Sequence, residues 1–198
     1  SVATDCLIFT IINQHTGAIT TQHQRNDGAP TEVESDYNSG ILTTSATAVF
    51  AGPSGWAGMV AINEAGNEIT GSDSLIEGSY NKLHDGNKAR SAFDVSYVAG
   101  FTLPITCHCG GEVLAGCSLD LFELNECPDG MNNLPGTCRN PNRGNEDARQ
   151  ATEFFRPCEN IAYTFPHDDL ATIDGHEECS DSITCCIGTA CPAHPKQP

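Results

Sequence analysis

The sequence predicts a mainly β protein, in which a β-sandwich is joined to a smaller, disulfide-rich lobe of loops with one helix. Three observations favour this fold. The first 106 residues are organised as short segments rich in Thr, Ala, Val and Ile between Gly-rich turns, as in a sandwich. Those residues contain one cysteine, Cys6, whereas the remaining 92 contain ten. The total of 198 residues suits one domain with an attached lobe.

The strands of the sandwich are predicted from their hydrophobic patterns. Segment Cys6–Asn13 is apolar at both alternating sets of positions, which is typical of a strand buried on both faces. Segment Ala92–Val98 alternates, with Phe93, Val95 and Tyr97 on one face. Further strands are expected at Ala18–Gln22, Ile41–Phe50, Ala57–Asn63 and Ser182–Ile187.

The second half has the composition of stapled loops. Segment Asp129–Gly144 is dominated by Gly, Pro and Asn, which favours turns over a packed element. One helix is expected near residues 145–156, where Asn145 can cap its start and Pro157 ends it. We therefore expect a sandwich core over residues 1–106, completed by the C-terminal segment 179–192, and a disulfide-rich lobe over residues 107–178.

The charge balance excludes several classes of partner. The chain has 9 basic and 26 acidic residues and a formal net charge of −17. Such a surface repels nucleic acid phosphates and anionic lipid headgroups. No apolar run is long enough for a transmembrane segment, and no cofactor is expected. Neutral sugars and cationic partners are not excluded by the charge. The alternative is that the acidity only keeps the protein soluble.

The eleven cysteines indicate an oxidising compartment, so we expect a secreted, extracellular protein. An odd number leaves at least one cysteine outside the intrachain pairs. A zinc site at Cys107-His108-Cys109 and Cys185-Cys186 is an alternative, but the usual pair of CxxC knuckles is missing. A disulfide framework in a monomer without a metal is the favoured interpretation.

A series of motifs in the C-terminal half resembles the thaumatin-like proteins. The motifs keep the family's order over about 100 residues, which makes the match specific. The series consists of DVSYVAGFTLP (94–104), Cys109, AGC (115–117), Cys127-Pro128, FFRPC (154–158), AYTFPHDD (162–169), Cys179 and Cys191-Pro192. The first 90 residues match only loosely, through their strand pattern and the segment Ser74–Tyr80. This mixture indicates a divergent, fungal or other non-plant member.

The resemblance implies a thaumatin-like β-sandwich with an acidic cleft between the sandwich and the lobe. It also implies four disulfides, which are Cys6–Cys191, Cys109–Cys179, Cys117–Cys158 and Cys127–Cys138. Cys107, Cys185 and Cys186 are then left for one further bridge and one remaining thiol. Larger members of the family have several more cysteines, so a simplified lobe is expected here.

The residues that match the family's acidic cleft are Glu77, Asp94 and Asp168, with Asp169 beside them. Some members of the family bind or hydrolyse β-1,3-glucan there. Hydrolysis requires two carboxyl groups that flank one glycosidic bond, one as acid and one as base or nucleophile. Glu77 and Asp94 would form that catalytic pair, with Asp168 in support.

Aromatic residues near these acids are further candidates for contact with a sugar. Tyr97, Phe101 and Tyr163 can each stack on a ring, although packing in the core is the stronger interpretation for each. The chain also departs from the family pattern. Ala99 replaces an Asp, and segment Ala48–Gly52 lacks the expected Arg, which favours binding over hydrolysis.

Three functions therefore follow from the sequence. The first is a secreted defence or cell-wall protein that binds β-1,3-glucan in the acidic cleft. The second is a weak endo-β-1,3-glucanase that uses Glu77 and Asp94. The third is a secreted interaction module, such as an effector or inhibitor, whose cleft is not catalytic and whose loops from Asp129 to Gly144 bind a protein.

Overall fold

The computed structural model describes residues 5–33, 40–82 and 90–198. In these residues the chain is mainly β and rich in disulfides, so the predicted fold class is confirmed. One short α-helix, α1, spans Leu121–Leu124, and 3₁₀ turns lie at Arg156–Cys158, Asp169–Ala171 and Glu177–Cys179. The strands are β1 Cys6–Asn13, β2 Ile19–Arg25, β3 Gly40–Leu42, β4 Thr47–Pro53, β5 Ala57–Glu64, β6 Ser74–Asn81, β7 Arg90–Ser96, β8 Gly100–Phe101, β9 Ile105–Cys109, β10 Glu112–Cys117, β11 Cys138–Arg139, β12 Ile173–Asp174 and β13 Ser182–Ile187.

Two large sheets form the sandwich. The five-stranded sheet has the order β10-β9-β13-β1-β4, and the six-stranded sheet has the order β12-β7-β6-β5-β2-β3. β1 lies between β13, to which it is parallel, and β4, to which it is antiparallel. Leu7, Phe9 and Ile11 are buried on one face of β1, whereas Ile8, Thr10 and Ile12 on the other face are half-buried, so the predicted burial of both faces is complete on one face only.

The two sheets pack through close contact of large rings with small residues. The ring of Phe9 on β1 stacks on Phe50 of β4 at a centroid distance of 5.0 Å. A Cβ atom added to Gly78 on β6 would lie 2.5 Å from Cζ of Phe9. Glycine at this position therefore lets a ring of one sheet reach the backbone of the other.

The predicted strand Ile41–Phe50 is divided between the two sheets. β3 lies at the edge of the six-stranded sheet, whereas β4 lies at the edge of the five-stranded sheet. The turn between them is closed by a hydrogen bond from the amide of Ala46 to the carbonyl of Thr43, at 3.0 Å. The prediction of one continuous strand is wrong because the chain changes sheets here.

The boundary between sandwich and lobe lies later than predicted. β9 and β10 belong to the five-stranded sheet, whereas the sequence predicts that residues 107–117 of these strands belong to the lobe. The disulfide-rich lobe therefore begins after Cys117 and includes the small β8–β11 ladder.

The helix predicted near residues 145–156 is absent from the structure, in which this described segment forms a series of turns. The backbone of this segment instead forms a hydrogen bond with a side chain beyond it, since the amide of Ala151 donates to Oε1 of Glu159 at 2.7 Å. A disulfide between Cys158 and Cys117 also fixes the end of the segment. Phe154 and Phe155 are buried, and turns rather than a helix direct them inward.

Five disulfides involve ten of the eleven cysteines. Three of them are pairs that the family resemblance implied, namely Cys109–Cys179, Cys117–Cys158 and Cys127–Cys138. The other two are Cys107–Cys185 and Cys186–Cys191. Since all four cysteines of the zinc alternative lie in disulfides, their sulfurs are not available as thiolate ligands.

The implied pair Cys6–Cys191 is wrong, and the strand register gives the reason. β1 and β13 are parallel, and Ile12 on β1 is the partner of Cys186 on β13. Cys191 is bonded to Cys186, so it lies near that end of β1, about 20 Å from Cys6 along the strand. A disulfide requires Cα atoms within about 7 Å. Cys6 is buried and lies outside the five bridges.

Within the described part of the chain, no helix has both the length and the apolar character needed to cross a bilayer.

Candidate functional site

A cleft of about 470 Å³ lies on the outer face of the six-stranded sheet, at β6 and β7. Alternation along these strands determines which side chains reach it. Ile76 on β6 and Val95 on β7 are buried in the core, so their neighbours Glu77 and Asp94 point to the opposite face. A loop of the lobe that contains Tyr163 contributes residues to the lining of the same cleft.

Glu77 and Asp94 are direct partners across the antiparallel β6–β7 ladder. Cross-strand partners have Cβ atoms about 4.5–5.5 Å apart, close enough for their carboxyl groups to touch. A side-chain hydrogen bond between them contributes to the pKa shift of each group, and such a bond needs one of the two carboxyl groups to be protonated. The sequence therefore predicted correctly that these two residues lie together.

The proton affinity of this pair is increased by its surroundings. Burial raises the pKa of Asp94 to about 8, with the charge of Glu77 as the second cause. Burial also raises the pKa of Glu77, although hydrogen bonds from the Ser96 hydroxyl and from Asp94 oppose this. None of the described residues that line the cleft is basic, so no cation there balances two ionised carboxylates.

One oxygen of this pair is enclosed by the surrounding atoms. Oδ1 of Asp94 is buried and has no hydrogen-bond partner within the described residues. A buried acceptor without a partner costs about 1–3 kcal/mol.

Tyr163 lines the cleft beside β7. Its amide donates to the carbonyl of Val95 at 2.9 Å, and its carbonyl accepts from the amide of Tyr97 at 2.8 Å. The lobe is thereby attached to the end of β7, next to Asp94. The Tyr163 hydroxyl contacts Oγ1 of Thr172 at 2.6 Å and donates to Oδ1 of Asp169 at 3.1 Å. Burial is the largest cause that raises the pKa of this phenol.

Asp168 does not line the cleft. It is buried and accepts hydrogen bonds from the amides of Asn160 and Thr164, and from the Thr164 hydroxyl at 2.7 Å. Burial raises the pKa of this carboxyl against the effect of those bonds. Asp168 therefore stabilises the loop that carries Tyr163, whereas exposed Asp169 reaches the cleft only through its bond to the Tyr163 hydroxyl.

Tyr97 and Phe101 are core residues with no exposed surface, so neither ring can stack on a ligand. The Tyr97 hydroxyl donates to the carbonyl of Cys117 at 3.3 Å and accepts from the amide of Ile105 at 3.1 Å. Phe101 packs edge-on against Tyr97 at a centroid distance of 5.1 Å. The expectation of ligand contact is wrong for both, and the alternative of core packing is right.

The sequence analysis missed the small and hydroxylic residues beside the carboxyl pair. Ala57, Ser79 and Ala92 form one row of Cα partners along the cleft floor. Ser79 and Ala92 have the same parity on their strands as Glu77 and Asp94, so alternation alone could have found them. Ala57 lies on β5, so its place in this row could be found only from the pairing of β5 with β6.

The geometry of the carboxyl pair is better suited to binding than to glycoside hydrolysis. Glycosidases hold their two carboxyl groups about 5–9.5 Å apart, because the scissile bond lies between them. Glu77 and Asp94 are instead neighbouring cross-strand partners whose carboxyl groups interact with each other. Together they offer a proton donor and several acceptor oxygens, which suits a ligand rich in hydroxyl groups.

The fold and the cleft define a disulfide-stapled β-sandwich protein with a carboxyl pair in an open groove. No family model matches the chain, and no curated protein matches it. Among solved structures, a match is the crystal structure of the protein elicitor MoHrip2 from Magnaporthe oryzae, at 16% identity and a TM-score of 0.34. The match covers 56% of this chain and 76% of that chain. A TM-score of this size supports no conclusion about function.

Proposed function

We propose that this chain is a secreted thaumatin-like protein that binds a cell-wall polysaccharide, β-1,3-glucan, in the cleft at Glu77 and Asp94. The observation that carries the proposal is the pairing of these two carboxyl groups on the floor of an open cleft that Tyr163 also lines. The ordered C-terminal motifs support the family. The five disulfides support an oxidising, extracellular location.

A neutral ligand agrees with the charges. The net charge of −17 and the absence of basic residues among the described lining residues disfavour a polyanion. A carboxyl pair that shares one proton can both donate to and accept from sugar hydroxyls. The small side chains of Ala57 and Ala92 leave room for a flat ring on the floor, and the Tyr163 ring offers an apolar face.

Binding without hydrolysis is the form of this function that the geometry favours. Two carboxyl groups in contact leave no space between them for a glycosidic bond. Ala99 also fails to supply the additional acid of the family pattern. The weak glucanase is therefore an alternative outcome, and the protein-interaction module is what remains if no glucan binds.

The test is a sedimentation assay with insoluble β-1,3-glucan and the purified, oxidised protein near pH 5, with released reducing sugar measured in the same samples. We expect the protein to sediment with the glucan and to release no sugar above the blank. Released sugar that is lost in Glu77→Gln would replace the binding proposal by the glucanase. A protein that stays in the supernatant would contradict both and would direct attention to protein partners.

A further inference from the structure

A second cavity, of about 430 Å³, lies on the outer face of the same six-stranded sheet. Its lining combines amide and apolar side chains with Arg143 and with Asp73, whose buried carboxylate accepts hydrogen bonds from Asn63 and from the amides of Thr70 and Gly71. Among the residues that line this cavity are Gln22, Gln24, Met59, Ala61, Leu75, Ala99 and Arg143.

The strand register shows that the two cavities are neighbours on one surface. Gln24 is the partner of Met59, and Met59 is the partner of Glu77. Glu77 is in turn the partner of Asp94, so these four residues form one row across four strands. With strands about 4.8 Å apart, the row extends about 14 Å from Asp94 to Gln24.

A second row runs beside the first and joins the same cavities. Gln22 is the partner of Ala61, Ala61 of Leu75, and Leu75 of Ser96. Ser96 lines the cleft, whereas Leu75 lines the second cavity. Val98 likewise lines the cleft, and the next residue, Ala99, lines the second cavity.

The second cavity has the chemistry of a site for neutral, hydroxyl-rich groups. Met59 and Leu75 are half-buried and give it an apolar floor, while Gln22 and Gln24 are exposed and carry amide donors and acceptors. Arg143 is tied to the wall, since its Nη1 donates to the carbonyl of Gly71 at 2.7 Å. Ala99 adds a methyl group rather than a carboxylate to this lining.

We infer that the cleft is one end of a longer groove, in which a linear neutral glycan occupies two subsites. The first subsite is formed by Glu77 and Asp94, and the second by Gln22, Gln24 and the floor at Met59. This inference rests on the proposed function and makes the ligand an oligomer that lies across the strands, rather than a single sugar or a chain end. It also gives Ala99 a role, because an apolar contact replaces charge at the second subsite.

The test is calorimetric titration with β-1,3-gluco-oligosaccharides from the disaccharide to the heptasaccharide. We expect the affinity of the unmodified protein to rise at least about tenfold along this series, because the longer ligands reach the second subsite. The double variant Gln22→Ala/Gln24→Ala should lose about tenfold for the heptasaccharide and nothing for the disaccharide. Gln150→Ala, an exposed glutamine of the lobe outside both cavities, is the matched control.

The outcomes separate this inference from the proposed function. An affinity that does not change with ligand length, or a double variant that weakens all lengths equally, would overturn the second subsite while glucan binding stands. Absence of binding at every length would overturn both. Thermal unfolding of each variant verifies that the exposed substitutions leave the fold intact.

Discussion

The contact between Glu77 and Asp94 should make the protein less stable as the pH rises. Burial and the neighbouring charge raise the pKa of Asp94 from its ordinary value of 3.8 to about 8, and burial raises the pKa of Glu77 as well. Between these pH values the folded chain binds more protons than the unfolded chain. The free energy of unfolding therefore falls as the pH rises through this range.

The substitution Asp94→Asn should remove much of this loss. An amide at position 94 still donates a hydrogen bond to Glu77, but it cannot ionise. Each tenfold change in proton affinity corresponds to about 1.4 kcal/mol, and water that enters the open cleft relieves part of the burial. We therefore expect the unmodified protein to lose about 2–3 kcal/mol more than the variant between about pH 4 and about pH 8.

The assay is urea denaturation at a series of pH values for both proteins, with stability taken from the midpoint and slope of each curve. Glu112→Gln is the control, because it removes one exposed carboxylate from β10 and so corrects for the general effect of a net charge of −17. Parallel stability curves for Asp94→Asn and the unmodified protein would refute the shared proton.

Three further substitutions test other parts of the structure. Replacement of Cys117 and Cys158 by Ser opens a loop with a sequence separation of 41, and denaturation curves should show a loss of about 4 kcal/mol. The same change at Cys186 and Cys191, with a separation of 5, should cost about 2 kcal/mol, and equal losses would contradict the chain-entropy argument. Asp168→Ala should cost about 2–4 kcal/mol because it leaves buried amides without an acceptor, and an unchanged midpoint would show that the carboxylate does not stabilise the loop.

Local pattern was sufficient to predict several strands and one feature of the site. β1 has the bounds of the apolar run Cys6–Asn13, although one of its two faces is only half-buried. The alternation in Ala92–Val98 placed Asp94 opposite to the core face of Phe93 and Val95. The same alternation puts Tyr97 on the core face, so its burial was available from the sequence.

Features that depend on strand pairing could not be predicted. The register of β1 with β13 holds Cys6 and Cys191 at opposite ends of two parallel strands, and nothing in the local sequence gives that register. The contact of Glu77 with Asp94 likewise depends on how β6 pairs with β7. The family resemblance placed Glu77 and Asp94 in one site, as the structure does. It wrongly implied a disulfide between Cys6 and Cys191.

Tertiary contacts overrode local propensity at residues 145–156. The sequence there has a cap, an acidic first turn and a terminal proline, all of which favour a helix. The bond from the amide of Ala151 to Glu159 and the disulfide at Cys158 hold the backbone in turns instead. Local signals for a short helix are weak beside such constraints.

The central claim is that the cleft at Glu77 and Asp94 binds β-1,3-glucan, and the most direct measurement is calorimetric titration of soluble β-1,3-glucan into three proteins near pH 5. These are the unmodified protein, Tyr163→Ala and the control Glu112→Gln. We predict saturable binding to the unmodified protein and the control, and at least about tenfold weaker binding to Tyr163→Ala, because it loses an aromatic ring from the lining of the cleft. Equal affinity in all three proteins would contradict the account, since it would mean that glucan binds elsewhere on the surface.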